Sequence, residues 1–148
     1  MNLIKKSFTW AKARKSFWLL LIRLVIGGIF IQTGWGKLTH LGTTTAFFQS
    51  LGIPFAHYNA LAASLIEFVG GLLILTGLLT RLVSIPLICV MIIAIATAQW
   101  ADVHSIYDFI GLQEVDYILF FGILFSEGAG KTSLDHFIRQ AFPTSYLD

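Results

Sequence analysis

Residues 60–79 read ALAASLIEFVGGLLILTGLL, twenty positions with a single charged group, Glu67. About 20 residues of helix, rising 1.5 Å each, cross a hydrocarbon layer roughly 30 Å thick. The stretch therefore reads as a membrane span, with Glu67 roughly 10 Å from one end. A carboxylate at that depth is tolerated when it is protonated, paired or turned toward a wet cavity. A structural hydrogen bond between helices and a ligand- or proton-linked role both meet that condition. Gly70 and Gly71 follow one turn later and let another helix come close beside it.

Outward from this stretch lie three more apolar runs, approximately Phe17–Trp35, Leu82–Trp100 and Glu114–Ser126. The last is short and takes in Phe109–Gln113 to give a span near 110–126. Four spans use nearly all of the 148 residues, so the expectation is a single domain over 1–148, an all-α four-helix transmembrane bundle. Composition agrees: 12% of residues are charged, about half the fraction of an ordinary soluble domain. The mean hydropathy is +0.78.

Charge placement orients the bundle. Lys5, Lys6, Lys12, Arg14, Lys15, Arg81, Lys131 and Arg139 fall on one side, against Lys37 alone on the other. The loop between spans three and four carries Asp102 and Asp108 and no basic residue. The positive-inside bias places both termini in the cytoplasm, as an even number of spans requires. Residues 1–16 read as a short interfacial helix, with Leu3, Ile4, Phe8 and Ala11 near one face. Ile31–Gly36 offers no small-x-small cleavage site, so the first run reads as a retained span. A multi-pass protein of a bacterial inner (plasma) membrane is the expected setting.

The first span carries Arg23, Gly27, Gly34 and Lys37 in a narrow stripe at about 100° per residue. Arg23 lies roughly 9 Å deep, where it either snorkels to the headgroups or meets an internal partner. Arg81 falls in the tight turn between spans two and three. Thr43–Leu51 reads as a half-buried helix with Phe47, Phe48 and Leu51 on one side, stopped by Gly52 and Pro54.

Depth arithmetic gathers Gln32, Lys37, Glu67, Gln99, His104, Glu114, Asp116 and Tyr117 in the external half of the bundle, around a pocket with an apolar floor. The candidate ligand- or proton-linked residues are Glu67, Lys37, Gln32, Trp35, Phe48, Gln99 and Tyr117. The candidate helix contacts are Arg23, Gly27, Gly34, Gly70, Gly71 and Arg81. Glu127, at the opposite end, is within reach of Arg81 or Lys131.

Several chemistries lack their residues. Cys89 is the single cysteine and reads as a compact apolar packing group. His40, His57, His104 and His136 lie in loops or at helix ends, which disfavours bis-histidine haem ligation inside the bundle. His104 with Asp102 and Asp108 reads as a solvated loop, so no metal site is expected. There is no nucleophile elbow or dinucleotide fingerprint. Gly130-Lys131-Thr132 is no phosphate loop, because Phe125 stands where the first glycine belongs. Thr132 and Asp135 have the spacing of a capping box for a final helix.

Arg23, Gly27-Gly28, Phe30, Gly34 and Lys37 resemble the first span of the DoxX family. Phe48, Gly52 and Pro54 look like its loop signature, and Glu67, Gly70-Gly71, Gly77 and Arg81 are similar to its second span. The segment Gly128-Ala129-Gly130-Lys131-Thr132-Ser133-Leu134-Asp135 resembles its closing Gly-x-Gly-x-x-Ser-Leu-Asp, so the likeness runs from about residue 17 to 137. The resemblance implies a four-helix protein of the bacterial inner membrane associated with redox work. A related DoxD subunit belongs to a thiosulfate:quinone oxidoreductase, and other members join membrane complexes with superoxide dismutase and a thiol-handling enzyme.

The resulting expectation is a membrane subunit or anchor of an oxidoreductase system, with no self-contained catalytic motif and no covalently held cofactor. Its pocket is expected to admit a quinone headgroup, with Glu67 and Lys37 as polar contacts and Trp35 and Phe48 against the ring. The alternatives are a small transporter or lipid-binding protein using the same pocket, and a non-catalytic scaffold. Expected partners are the lipid bilayer, redox-enzyme subunits and, through the glycine faces, a second copy. No nucleic-acid partner is expected.

Overall fold

The computed structural model describes residues 2–130 and 132–141, with side chains described from Arg14 onward except at 136, 139 and 141. Among these residues every regular element is helical. Helix α1 runs Asn2–Thr39 and α2 Leu41–Ser50; α3 spans Ala56–Thr76 and α4 Thr80–Ala94. A π-helical turn, Ile95–Gln99, and a 3₁₀ turn, Trp100–Asp102, continue α4. Then come α5 (Ile106–Ile110), α6 (Gln113–Glu127) and α7 (Leu134–Ala141).

Three segments are long and apolar enough to cross a membrane: Arg14–Thr39, Ala56–Thr76 and Thr80–Asp102. With 15 residues, α6 is about 22 Å long and stops short of that length. The expected loan of Phe109–Gln113 does not occur. Ser105 caps α5, and Leu112, in extended conformation (ψ 132°), turns the chain into α6. Residues 1–16 do not form a separate interfacial helix either, since α1 is unbroken from Asn2. Arg81 lies inside the first turn of α4 rather than in a loop.

Helices α1 and α3 meet backbone to backbone, and glycine makes this possible. A Cβ on Gly27 would lie 2.9 Å from the Leu75 nitrogen, one on Gly71 would lie 2.7 Å from the Ile31 nitrogen, and one on Gly34 would collide with the Phe68 backbone. Gly70 serves the next interface, where a Cβ would meet the Leu87 side chain of α4 at 2.9 Å. The core between α1, α3, α4 and α6 is built by Ile26, Phe30, Ile74, Leu87, Phe121 and Leu124. Phe30 packs edge-on against Tyr117 and Phe121, at 5.1 and 5.0 Å between ring centroids. Cys89 is exposed on α4 and is not a core packing group.

Helix α3 ends at Gly77 (φ 74°), whose N–H bonds to Ile74 O at 3.2 Å while Leu78 N–H bonds to Leu73 O at 3.0 Å. This is a Schellman-type stop, in which glycine adopts the left-handed conformation without a Cβ penalty. Arg23 completes it. The residue is 1% exposed, so its side chain does not snorkel. Nε donates to Ile74 O (2.9 Å), which also accepts from Gly77 N–H, and Nη2 to Leu75 O (3.0 Å), both carbonyls of the last turn of α3. Nη1 donates to Ala129 O (2.8 Å) and Thr132 O (3.3 Å), tying down the segment after α6.

Two local expectations at this end need correction. Glu127 pairs with Lys15 of α1, not with Arg81, which instead donates to Ser126 O at 3.1 Å. Lys131 lies outside the described residues. Asp135 does not close a capping box with Thr132, because α7 starts at Leu134 and the Asp135 carboxylate accepts from Leu79 N–H at 3.0 Å. That contact steadies Leu79, which enters α4 in a left-handed conformation (φ 51°) unusual for a side chain with a Cβ.

Candidate functional site

At the end of the bundle opposite Arg23, Lys37 near the close of α1 faces Glu67 in the middle of α3. Lys37 Nζ lies 2.6 Å from Oε1 and 2.8 Å from Oε2, so one ammonium serves both carboxylate oxygens. Glu67 is 2% exposed as a residue, whereas the Lys37 side chain is 40% exposed. The pair is lopsided: its anion is buried in the bundle and its cation looks into an opening. An unpaired carboxylate at the Glu67 position would bear a desolvation cost of several kcal/mol. The pairing offsets it with charge-assisted hydrogen bonds.

That opening is a cavity of about 1060 Å³. Five elements build its wall. Helix α1 gives Thr33, Gly36 and Lys37; α2 with its N-cap and exit gives His40, Thr44, Phe47, Phe48, Leu51 and Pro54. Helix α3 gives Ala62, Ala63, Ile66 and Glu67, α4 with its π turn gives Val90, Ile93, Thr97 and Gln99, and α6 gives Glu114. Most of this surface is apolar, with polar groups concentrated at Lys37–Glu67 and at Gln99–Glu114. Helix α2 covers the cavity because Gly52 (φ 70°) halts it in time for the chain to turn back at Pro54.

The π turn shapes the far wall. A widened turn of this kind adds a residue to the helix and rotates the residues beyond it, and such turns recur at functional sites. Here it brings Thr97, Ala98 and Gln99 to the cavity, where Gln99 Nε2 donates to Glu114 Oε1 at a long 3.4 Å. The hydroxyl of Thr97 is turned back onto Ile93 O at 2.8 Å. Thr44 likewise donates to Lys37 O (3.3 Å) and His40 O (3.2 Å).

Of the seven residues singled out from sequence for this pocket, the fold gathers Glu67, Lys37, Phe48 and Gln99 on the wall. Gln32 is exposed, and Trp35, 57% exposed, stacks outside on Phe68 at 5.5 Å. Tyr117 packs into the core against Phe30. Sequence reasoning left Glu114, His40, Thr44 and Thr97 out of that set. For Glu114 a signal existed, since its depth placed it with the others. Among the helix-contact residues, Arg23, Gly27, Gly34, Gly70 and Gly71 all sit at helix–helix or helix–loop contacts, and Arg81 reaches the end of α6. No three His, Cys, Asp or Glu side chains gather as metal ligands among the described residues.

The chain is similar to known membrane proteins over most of these elements. The DoxX family model matches residues 18–100, a range containing every wall residue except Glu114. The Bacillus subtilis protein named "Putative oxidoreductase CatD" is 35% identical over 100 residues, 68% of this chain and 69% of that protein. The Mycobacterium tuberculosis membrane protein Rv3486 is 31% identical over 127 residues, 77% of each chain. The Escherichia coli inner membrane protein YqjF is 39% identical over 62 residues, 42% of this chain and 46% of its own. No solved structure matches the chain.

Proposed function

This chain belongs to the DoxX family of multi-pass membrane proteins, and from that premise we propose that it is a membrane subunit or anchor of an oxidoreductase system whose cavity holds a quinone-type ring. The observation that carries the reading is the Lys37–Glu67 pair set at the head of a large, mostly apolar cavity. A ring ligand needs an apolar slot with one or two polar contacts, and pockets of a few hundred to about 1,000 Å³ suit such molecules. The name of CatD points to the same class of chemistry in a relative.

In this reading α6 completes a quartet of spans, its short length offset by the core contacts of Phe121 and Leu124. Both termini face the cytoplasm, since the basic residues cluster at the Arg23 end, and the cavity lies in the outer half of the membrane. The membrane is a bacterial inner membrane, like that of YqjF. The protein's own residues bind and orient the ring; the electron-transferring groups belong to a partner subunit. A lipid-binding role is the second reading. It is favoured by Ile93 and Phe47, which line the cavity and are each more than half exposed.

The test is purification in mild detergent followed by identification of co-purifying subunits and extracted lipids. A retained quinone, lost in Glu67→Gln at unchanged yield, supports the ring-binding reading. A retained phospholipid in its place favours the second.

A further inference from the structure

We infer that the cavity selects the reduced, hydroxyl-bearing form of its ring ligand over the oxidised, carbonyl-bearing one. This inference rests on the ring-binding reading given above and adds which end of the couple the wall fits.

Hydrogen-bonding capacity decides between the two forms. Lys37 has three N–H donors, and two are directed at Glu67, which leaves one for a ligand. Gln99 spends one amide N–H on Glu114 and Asn59 spends one on Pro54 O, so each keeps one, and Thr43 adds a hydroxyl. The acceptors are more numerous. Glu114 is a half-buried carboxylate whose described partner is a single 3.4 Å donor, so most of its lone pairs are uncommitted. The hydroxyl hydrogens of Thr44 and Thr97 are committed to main-chain carbonyls, which leaves each oxygen facing the cavity as an acceptor. Charge leans the same way, with two carboxylates, Glu67 and Glu114, against one ammonium on this wall.

A quinone presents only carbonyl oxygens. It can take the spare N–H of Lys37 and one from Gln99, Asn59 or Thr43, but no carbonyl can use the lone pairs of Glu114, which it can only face. A hydroquinone presents two O–H groups that donate and also accept. One satisfies Glu114 and the other a threonine oxygen, while Lys37 still donates to a ring oxygen. Gaining one hydrogen bond to a charged group, with none left unmade, corresponds to about tenfold to a hundredfold in affinity.

The experiment uses the full chain in lipid nanodiscs under argon. A decyl-substituted benzoquinone and its chemically reduced hydroquinone are titrated by calorimetry. Binding of the hydroquinone at least about tenfold tighter is the expected result. Glu114→Gln, checked for fold by its unfolding temperature, replaces a charged acceptor with an amide that also donates, so it is expected to weaken hydroquinone binding, tighten benzoquinone binding and thereby reduce the preference. Equal affinities, or a tighter benzoquinone, overturn this inference and leave the ring-binding reading standing. Failure of both forms to bind the unaltered protein overturns both. Because the central comparison needs no variant, it stands even if Glu114→Gln misfolds.

Discussion

Lys37 and Glu67 close on each other at 2.6 and 2.8 Å across the α1–α3 contact, so the one buried carboxylate of α3 is held by the last turn of α1. Removing the cation alone strands that carboxylate. Lys37→Met is expected to lower stability by about 3 kcal/mol, whereas the double variant Lys37→Met with Glu67→Leu recovers most of the loss. Chemical denaturation of the four proteins in one detergent measures the coupling; additive effects would show that the pair contributes nothing as a pair.

Arg23 makes a related prediction at the other end. Its planar fork reaches carbonyls of α3 and of the segment after α6 at once, and a lysine ammonium cannot match that geometry. Arg23→Lys is expected to cost about 2–3 kcal/mol and to open residues 128–135 to limited proteolysis. Proteolysis unchanged from the parent protein would contradict the role assigned to the guanidinium.

The glycine contacts are separable by position. Gly34→Ala drives a methyl group into the Phe68 backbone and is expected to destabilise by about 1–3 kcal/mol. Gly28→Ala meets nothing within 4 Å and is expected to be neutral or to stabilise α1 by up to about 1 kcal/mol. Thermal unfolding of the two single variants decides the matter, since helix propensity alone predicts the same change for both.

The external loop supplies a pH prediction. The Ser105 side chain, aided by the backbone N–H groups of His104 and Ser105, holds the Asp108 carboxyl below the ordinary aspartate range. Because the folded value is depressed, the stabilisation of α5 is present above the unfolded value, near 4, and fades as pH falls through the folded one. Amide protection within residues 106–110, taken relative to the intrinsic exchange rate at each pH, should therefore fall on acidification. Asp108→Asn should remove most of that dependence.

How much of the fold and the cavity is legible in the sequence varies with the kind of signal. Glu67 and Lys37 stand out because a charge in an apolar run has few tolerable explanations. Depth along a helix comes from counting residues, which is why Gln99 and Glu114 share a level with Glu67. Azimuth stays open until one contact is known. Trp35 lies two residues from Lys37, about 200° around α1, so a cavity at Lys37 places Trp35 outside. Gln32 is similarly rotated away. The π turn carries no mark in Ile95-Ala96-Thr97-Ala98-Gln99, and the Lys15–Glu127 pair requires knowing that α1 continues past the span. The start of α6 is hidden for another reason: the break at Gly111-Leu112 depends on the Ser105 cap upstream of it.

The Arg23 socket also sets an order of events during synthesis. Its acceptors lie 51 and 106 positions further along the chain, so the first helix enters the bilayer with a cation that nothing yet receives. Only when the stretch around Ala129 emerges from the ribosome can the socket close. A product that ends before Ala129 keeps the contacts to Ile74 and Leu75 and lacks those to Ala129 and Thr132, so its guanidinium is left with half of its hydrogen bonds.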